Sequence, residues 1–416
     1  GWGRTDARTR VPRRSRTRTL DALVAAALLL YPRYLQPISG EAGEAEDVLE
    51  HLALQRQLQA DNRRRFVCFG FSAWKRPFVR RYLGAPGGEL AFVRSPQQVR
   101  ETAGTTAVVW ASRSTPAITA WAKAARVPLW NMEDGFLRSV GLGSDLTAPG
   151  SLVLDRQGIY YDPRQPSELE SLLQNADFSG AELARAANLR RLILASGISK
   201  YNASGRGTLD VTAAGERRVL LVVGQVDDDA SVRYGSSGDV KGNLGLLSAV
   251  RAASPEAFVF YKPHPDVLSG NRRGALAPAG PPPWDALIEQ VPLAACLAKV
   301  HEVHTLTSLV GFEALLRGLP VVTYGSPFYA GWGLTTDRAP QARRTRRLSL
   351  DELTAGVLLR YPRYYSWPAR AFCTPEQLVL ELARAAAQGA ERPPPKLLRK
   401  ARSLAIIALE WLRSLR

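Results

Sequence analysis

Short clusters of chemically capable residues follow apolar runs at several points in this 416-residue chain. Glu133-Asp134-Gly135, within LWNMEDGFLRSVGLGSD, places adjacent carboxylates after an apolar run. Such a pair can abstract a proton or orient a hydroxyl where the surroundings raise a carboxyl pKa. The same pair also suits a solvated loop before a helix start. Arg138, just downstream, is placed to meet an anion. The string GQVDDDAS ends the run VLLVV with Asp227, Asp228 and Asp229 in succession. Three adjacent acids repel one another, so this turn can attract a metal or hold one carboxylate as a nucleophile; an exposed acidic turn is the plain alternative. Lys262-Pro263-His264-Pro265 follows FVFY. Prolines that keep the chain extended would present lysine and histidine as a rigid anchor for phosphate, with His264 able to give a proton to a leaving oxygen. Thr307-Ser308 falls where a helix should begin, and hydroxyls with free N–H groups there either bind phosphate or simply cap the helix. Glu313 follows on the same helix, placed for a ribose diol or for a surface salt bridge.

The elements that must position these clusters alternate between strand and helix. Apolar runs at 63–74, 106–112, around LWNMEDGF, 217–226, 256–265 and 319–328 predict strands; DALIEQVPLAACLA and LTSLVGFEALLRG predict helices. The pattern predicts an α/β protein with two parallel sheets and crossover helices, joined by the Gly/Ser/Thr-rich stretch 195–216. Two Rossmann-like halves facing a cleft are expected, with ligands at the carboxyl ends of the strands. No G-x-G-x-x-G or G-x-x-x-x-G-K-[ST] follows a strand, which disfavours dinucleotide and P-loop functions.

Residues 1–34 align without a gap on residues 331–364 and are identical at about half of their positions, including Gly-Trp-Gly and Tyr-Pro-Arg-Tyr. A repeat that holds register across a loop, a basic stretch and a helix implies that the chain begins inside the last segment of an earlier copy. The expected division is 1–59 as that tail plus a linker, 60–205 and 206–345 as the two Rossmann-like domains, 346–392 as helices packing back, and 393–416 as a basic amphipathic helix. Three widely spaced cysteines offer neither a disulfide framework nor a metal knuckle. The net charge of +17 is concentrated at the ends, with no nucleic-acid signature interleaved, so nucleic acid is disfavoured as a partner. The tail KLLRKARSLAIIALEWLRSLR suits a helix on an anionic membrane surface, or one packed on protein.

The order of an EDG strand exit, an HP pair and a Thr-Ser helix start resembles that of bacterial sialyltransferases that use CMP-sugars. The longer strings EDGFLRSVGLGSD, GQVDDDASVRYGS, YKPHPDVLSGN, TSLVGFEALLRGLPVVTYGSPFYAGWGLT and YPRY resemble the KpsC-type capsule polysaccharide proteins, which are two-module retaining β-Kdo transferases. The resemblance is to the C-terminal module, of glycosyltransferase family 107. It implies a GT-B fold, CMP-β-Kdo as donor with no cofactor or metal required, a Kdo-terminated glycolipid as acceptor, and a β-2,7 bond. It also implies a homologous upstream module and a cytoplasmic location, peripheral at the inner membrane. By motif, Asp229 is the implied nucleophile with Asp228 next, and Glu133 the acid/base supported by Asp134. Lys262, His264, Pro265, Thr307, Ser308, Glu313 and Gln225 fall to the donor, and Arg138 and Ser139 to the acceptor. An inverting transferase of sialyltransferase type, or a glycolipid-binding scaffold of capsule export, would carry the same fold.

Overall fold

The computed structural model describes residues 17–138, 148–198, 207–236, 238–268, 276, 280–339 and 342–388. Ser139 and the basic tail 393–416 lie outside the described residues. The first lobe is built on parallel strands β1 (Arg65–Phe69), β2 (Glu89–Val93), β3 (Thr105–Trp110) and β4 (Leu129–Asp134). β1 and β3 are apolar on both faces, as a sheet covered on both sides requires. β5 (Ser151–Asp155) then returns antiparallel on β4.

The second lobe is wholly parallel: β6 (Val219–Val223), β7 (Phe258–Lys262), β8 (Ala286–Leu287), β9 (Glu302–Thr305), β10 (Val321–Thr323) and β11 (Thr336–Asp337), in the order β8-β7-β6-β9-β10-β11. Two lobes of this kind facing a shared cleft make a GT-B fold. The stretch DALIEQVPLAACLA departs from the helix its spacing predicts. Ala286–Leu287 adds to the edge of β7, and the helix Leu293–Leu297 begins only after Pro292. Proline lacks an N–H and fits a helix start better than its interior.

Residues 346–392 correct a second expectation, since they supply strands as well as helices. β12 (Pro362–Ser366) and β13 (Ala371–Cys373) extend the first sheet antiparallel, giving the order β13-β12-β5-β4-β3-β1-β2. Tyr-Pro-Arg-Tyr is therefore a strand start, and Tyr364 and Tyr365 are buried by it. The helix Pro375–Ala387 that follows packs on the helix Gly180–Ser196.

An ionic latch ties the lobes together. Glu170, buried on the helix Glu168–Asn175, accepts from Arg343 Nε at 2.6 Å and from Arg344 Nε at 3.1 Å. Arg344 is itself buried and donates to the Pro327 and Ala330 carbonyls. Removing one member leaves the other charge buried and unmatched, which costs several kcal/mol. Glu170→Ala is accordingly expected to destabilise the protein by roughly 3–5 kcal/mol in a urea titration, where an exposed pair would contribute less than about 1.

Candidate active site

The strand order of the second lobe reverses direction between β6 and β9, and ligands collect outside the carboxyl ends of strands at such a point. Gln225 bridges the gap. Its Nε2 donates to Thr307 Oγ1 at 3.0 Å, and its Oε1 accepts from the Thr307 N–H at 2.8 Å. Its own N–H is held by Asn243 Oδ1 at 2.8 Å. A side chain so fully engaged sets the spacing between the two strand exits and keeps its amide turned to Thr307.

The cleft at this point has a volume of about 1330 Å³, and residues from both lobes line it. Glu133, Asp134, Gln225, Asp228, Asp229, Lys262, His264, Pro265, Thr307, Ser308 and Glu313 all reach it. The sequence clusters therefore meet in space. Asp227 is set apart, turned back toward Asn243 Nδ2 at 3.3 Å and absent from the lining. Asp229 caps the helix Ala230–Gly235: its Oδ1 accepts from the Ser231 N–H at 2.9 Å and the Ser231 hydroxyl at 2.7 Å. Its Oδ2 takes no hydrogen bond among the described residues. One oxygen fixed and the other facing the cleft is a geometry suited to attack on a bound electrophile.

Glu133 ends β4 on the opposite wall. It accepts long hydrogen bonds from the Ser112 N–H at 3.3 Å and the Asp134 N–H at 3.4 Å. Burial pushes its carboxyl up to about 7; the Lys75 ammonium opposes the rise and the Asp134 charge adds to it. A carboxyl titrating near neutrality is fitted to general acid/base work. Behind it, Lys75 lies over the Trp110 ring, 2.9 Å from the centroid. Burial pushes that amine down to about 8, partly offset by Glu133 and Asp134. The sequence reading overlooked Lys75, which sits in an ordinary Trp-Lys-Arg turn 58 residues before Glu133; only folding brings them together.

Arg138 takes a different place from the one its position suggested. It is 2% exposed, its Nε donates to Asp134 Oδ2 at 2.9 Å, and it does not line the cleft. It holds the second carboxylate from within. Gly135 explains the third letter of EDG: a β-carbon there would overlap the hydroxyl of Ser151 on β5. Tyr160 and Tyr161, also missed in the sequence, line the cleft beneath these acids. The Tyr160 hydroxyl donates to the Asp134 carbonyl at 3.3 Å.

The other wall is cationic and rich in N–H groups. Lys262 ends β7 and spends one N–H on the Val291 carbonyl at 2.7 Å, which leaves two for a ligand. Burial pulls its amine below the usual lysine value. His264 precedes the turn of helix Pro265–Leu268, and its Nδ1 accepts from the Asp266 N–H at 3.1 Å. That bond fixes the ring at the lining of the cleft. Ser308 caps the helix Leu309–Leu316, accepting from the Val310 N–H at 3.2 Å. Leu309, Val310 and Glu313 share the face of that helix that turns to the cleft. Glu313 is buried there with Arg317 Nη1 4.0 Å away, so its carboxylate is a cleft group rather than a surface one. Among the described residues no group of three or more His, Cys, Asp and Glu side chains is arranged to hold a metal ion.

Residues 106–364 match the family model described as capsule polysaccharide biosynthesis protein. The chain is 44% identical over 376 residues to the capsule polysaccharide modification protein LipA of Neisseria meningitidis serogroup B, covering 88% of this chain and 53% of LipA. It thus spans about half the length of that relative. Two solved modules of Thermosulfurimonas dismutans KpsC share the architecture. Its β-Kdo 2,4 transferase superposes with a TM-score of 0.67 at 30% identity, covering 76% of this chain and 97% of that one. Its β-Kdo 2,7 transferase does so with a TM-score of 0.61 at 35% identity, covering 77% and 99%. With a family model over most of the chain and near-complete coverage of two solved modules, the chain belongs to the capsule polysaccharide biosynthesis protein family, as a KpsC-type transferase module.

Proposed function

We propose that this module moves Kdo from CMP-β-Kdo to a Kdo-terminated, lipid-linked acceptor with retention of configuration, forming a β-2,7 bond in the linker beneath the capsule polymer. The observation that carries the reading is the meeting, in one cleft, of a capped aspartate, a glutamic acid with its carboxyl raised to about 7 and a wall bearing Lys262, His264 and a helix start. In the first step Asp229 Oδ2 attacks the anomeric carbon, the carbon–oxygen bond to phosphate breaks, and CMP leaves with the electron pair. Lys262, His264 and the start of the helix Leu309–Leu316 meet the growing negative charge on the phosphate. Glu313 takes the ribose diol. In the second step Glu133 accepts the proton of the acceptor hydroxyl, whose oxygen displaces Asp229 from the opposite face. Two inversions give net retention.

The 2,7 linkage is favoured by identity, 35% against 30%, although the superposition is closer to the 2,4 transferase. Side chains around the acceptor, rather than the backbone path, decide which hydroxyl is presented, so identity is the better guide. We place the reaction at the cytoplasmic face of the inner membrane. The basic segment 393–416 supports this by its sequence, and no helix among the described residues is long and apolar enough to cross a membrane.

Calorimetry with CMP tests the donor wall. Lys262→Ala is expected to weaken binding by about 10- to 100-fold, the worth of a hydrogen bond to a charged group. Unchanged affinity would remove CMP from this wall. Incubation with CMP-Kdo and a short Kdo oligosaccharide, read by NMR, should give a β product linked at O7, with the same yield in EDTA. An inverted product would assign the chemistry to Glu133 as base without a covalent step.

A further inference from the structure

The wall that presents Glu133 carries one cation that the chemistry above leaves unused. Arg113 closes the single turn Ala111–Arg113 that follows β3, and it lines the cleft beside Ser112, whose N–H donates to Glu133 Oε2 at 3.3 Å. The turn is fixed on both sides. The Ser114 N–H donates to the Ala111 carbonyl at 3.1 Å, and Thr115 then caps the helix Pro116–Ala124. On the other side Gly70, just after β1, has a φ of +74°, and a β-carbon there would lie 2.8 Å from Arg113 Cβ. A side chain at position 70 would push the arginine stem out of place.

The other cations of this wall are committed. Arg138 is buried on Asp134, and Lys75 lies over the Trp110 ring. Burial is the main reason the Lys75 amine is pushed down, and the Arg138 and Arg113 charges add to it, so Arg113 stands within electrostatic reach of the Glu133 cluster. Arg113 itself is exposed, and among the described residues no carboxylate pairs with it. Across the cleft, Lys262 and His264 face the donor phosphate. Arg233 leans over the Tyr234 ring, 5.6 Å from its centroid, on the helix that Asp229 caps, and so falls to the donor side as well. An anionic acceptor that brings a hydroxyl to Glu133 also brings its carboxylate toward Glu133 and Asp134. Like charges at that range repel, so this wall needs a counter-charge. An arginine fork supplies one with direction, pairing with a carboxylate through two parallel N–H bonds.

We propose that Arg113 grips the carboxylate of the acceptor's terminal sugar and thereby selects the hydroxyl that meets Glu133. The assignment rests on the transfer reading above, and it gives the acceptor a cation in place of Arg138, which is spent inside the lobe. In a Kdo ring the hydroxyls O4 and O7 are reached from the carboxylate-bearing carbon in opposite directions around the ring. A carboxylate held in a rigid fork brings one of them to the base and turns the other away. A carboxylate left loose lets both approach, so the arginine sets linkage as well as affinity.

Titration calorimetry on the full chain, with CMP present, tests the grip without turnover. The probes are a Kdo disaccharide with a free carboxylate on its terminal acceptor sugar and the same disaccharide with that carboxylate as its methyl ester. The wild type is expected to bind the acid about 10- to 100-fold more tightly than the ester, the range for a hydrogen bond to a charged group. Arg113→Gln should bind the two forms within about a factor of two of each other, closing the cycle. Arg113→Lys should keep part of the preference, since the charge survives without the fork. CMP affinity and melting temperature should be unchanged in both variants, because the side chain is exposed and stands on the wall opposite Lys262. Product linkage is the second readout. NMR should show one linkage from the wild type and a mixture of O4 and O7 products from Arg113→Gln, with the acceptor KM raised about tenfold or more. Equal binding of acid and ester by the wild type, or an Arg113→Gln chain that keeps the full preference or a single linkage, would overturn the assignment and leave the transfer reading standing. A preference that survives in Arg113→Gln and is lost in Arg233→Gln would place the carboxylate on the other wall and overturn it too. A wild type that binds neither disaccharide would sink both this assignment and the Kdo reading beneath it.

Discussion

Asp229→Asn is expected to lower Kdo transfer by about four orders of magnitude, the scale of losing a covalent nucleophile, while CMP affinity stays within a factor of two or so. The choice of asparagine follows from the cap. Asp229 Oδ1 holds the Ser231 N–H, and asparagine caps as well as aspartate does. Alanine would add about 1 kcal/mol of lost cap to the chemical effect. Asp228→Asn is the matched control, for the neighbour also faces the cleft and should cost less than about tenfold if Asp229 attacks. With donor present and acceptor withheld, intact-protein mass spectrometry should show one Kdo added to the wild-type chain and none to Asp229→Asn. An adduct that persists in Asp229→Asn and vanishes in Asp228→Asn would move the nucleophile by one residue. No adduct in any form, with retention still observed, would favour a front-face path.

How far the site was legible depended on whether its residues were neighbours in the chain. Strand exits carry their chemistry on the residues just after the apolar run, so EDG, DDDAS, KPHP and Thr-Ser could each be found by reading past a strand. Their meeting in one cleft follows from parallel topology, which sends every such exit to the same side of a sheet. Lys75 gave no such signal, because its importance comes from burial against Trp110 and from charges on another strand. Arg138 was visible but misplaced: a cation four residues after Asp134 reads equally as a ligand group or as an internal partner, and only its burial decides. The strands β12 and β13 were missed for a different reason. Both are short, one starts on proline and carries Arg363, and their stability comes from pairing with β5 and from Gln55 covering the outer edge, contacts that lie far away in sequence. The repeat, by contrast, was legible only where identity survived. Residues 35–52 keep the hairpin and capping box of 365–382 through different side chains, which satisfy the same backbone requirements.

Glu133→Gln is expected to reduce turnover by about 10²- to 10⁴-fold, the usual contribution of a positioned general base. The pH profile identifies the group. With its carboxyl near 7, the base form of Glu133 is lost as pH falls through that value, so the wild-type rate should decline below about pH 7 and level off above it. The residual rate of Glu133→Gln should lack the acidic limb. Lys75→Met removes the cation that opposes the rise, and should therefore move the limb to higher pH. The same burial has a consequence for folding that can be read without substrate. Because the folded carboxyl holds its proton more tightly than the unfolded one, whose value is near 4.5, the native state binds more protons between those two pH values. Wild-type stability should then fall as pH rises from about 4.5 to 7 and stay low beyond it, since the ionised form is the one that burial penalises. A glutamine cannot ionise and escapes that loss. Glu133→Gln should match the wild type in denaturant titrations near pH 4.5 and exceed it by on the order of 1–3 kcal/mol above pH 7. The loss of Lys75's partner works against the gain and holds it toward the lower figure. An inactive variant that is more stable only on the alkaline side would tie the site's function to the cost of keeping an ionisable acid in that wall. A variant equally stable at both pH values would mean that Glu133 is solvated and titrates as an ordinary glutamate, unsuited to the role of base at neutrality.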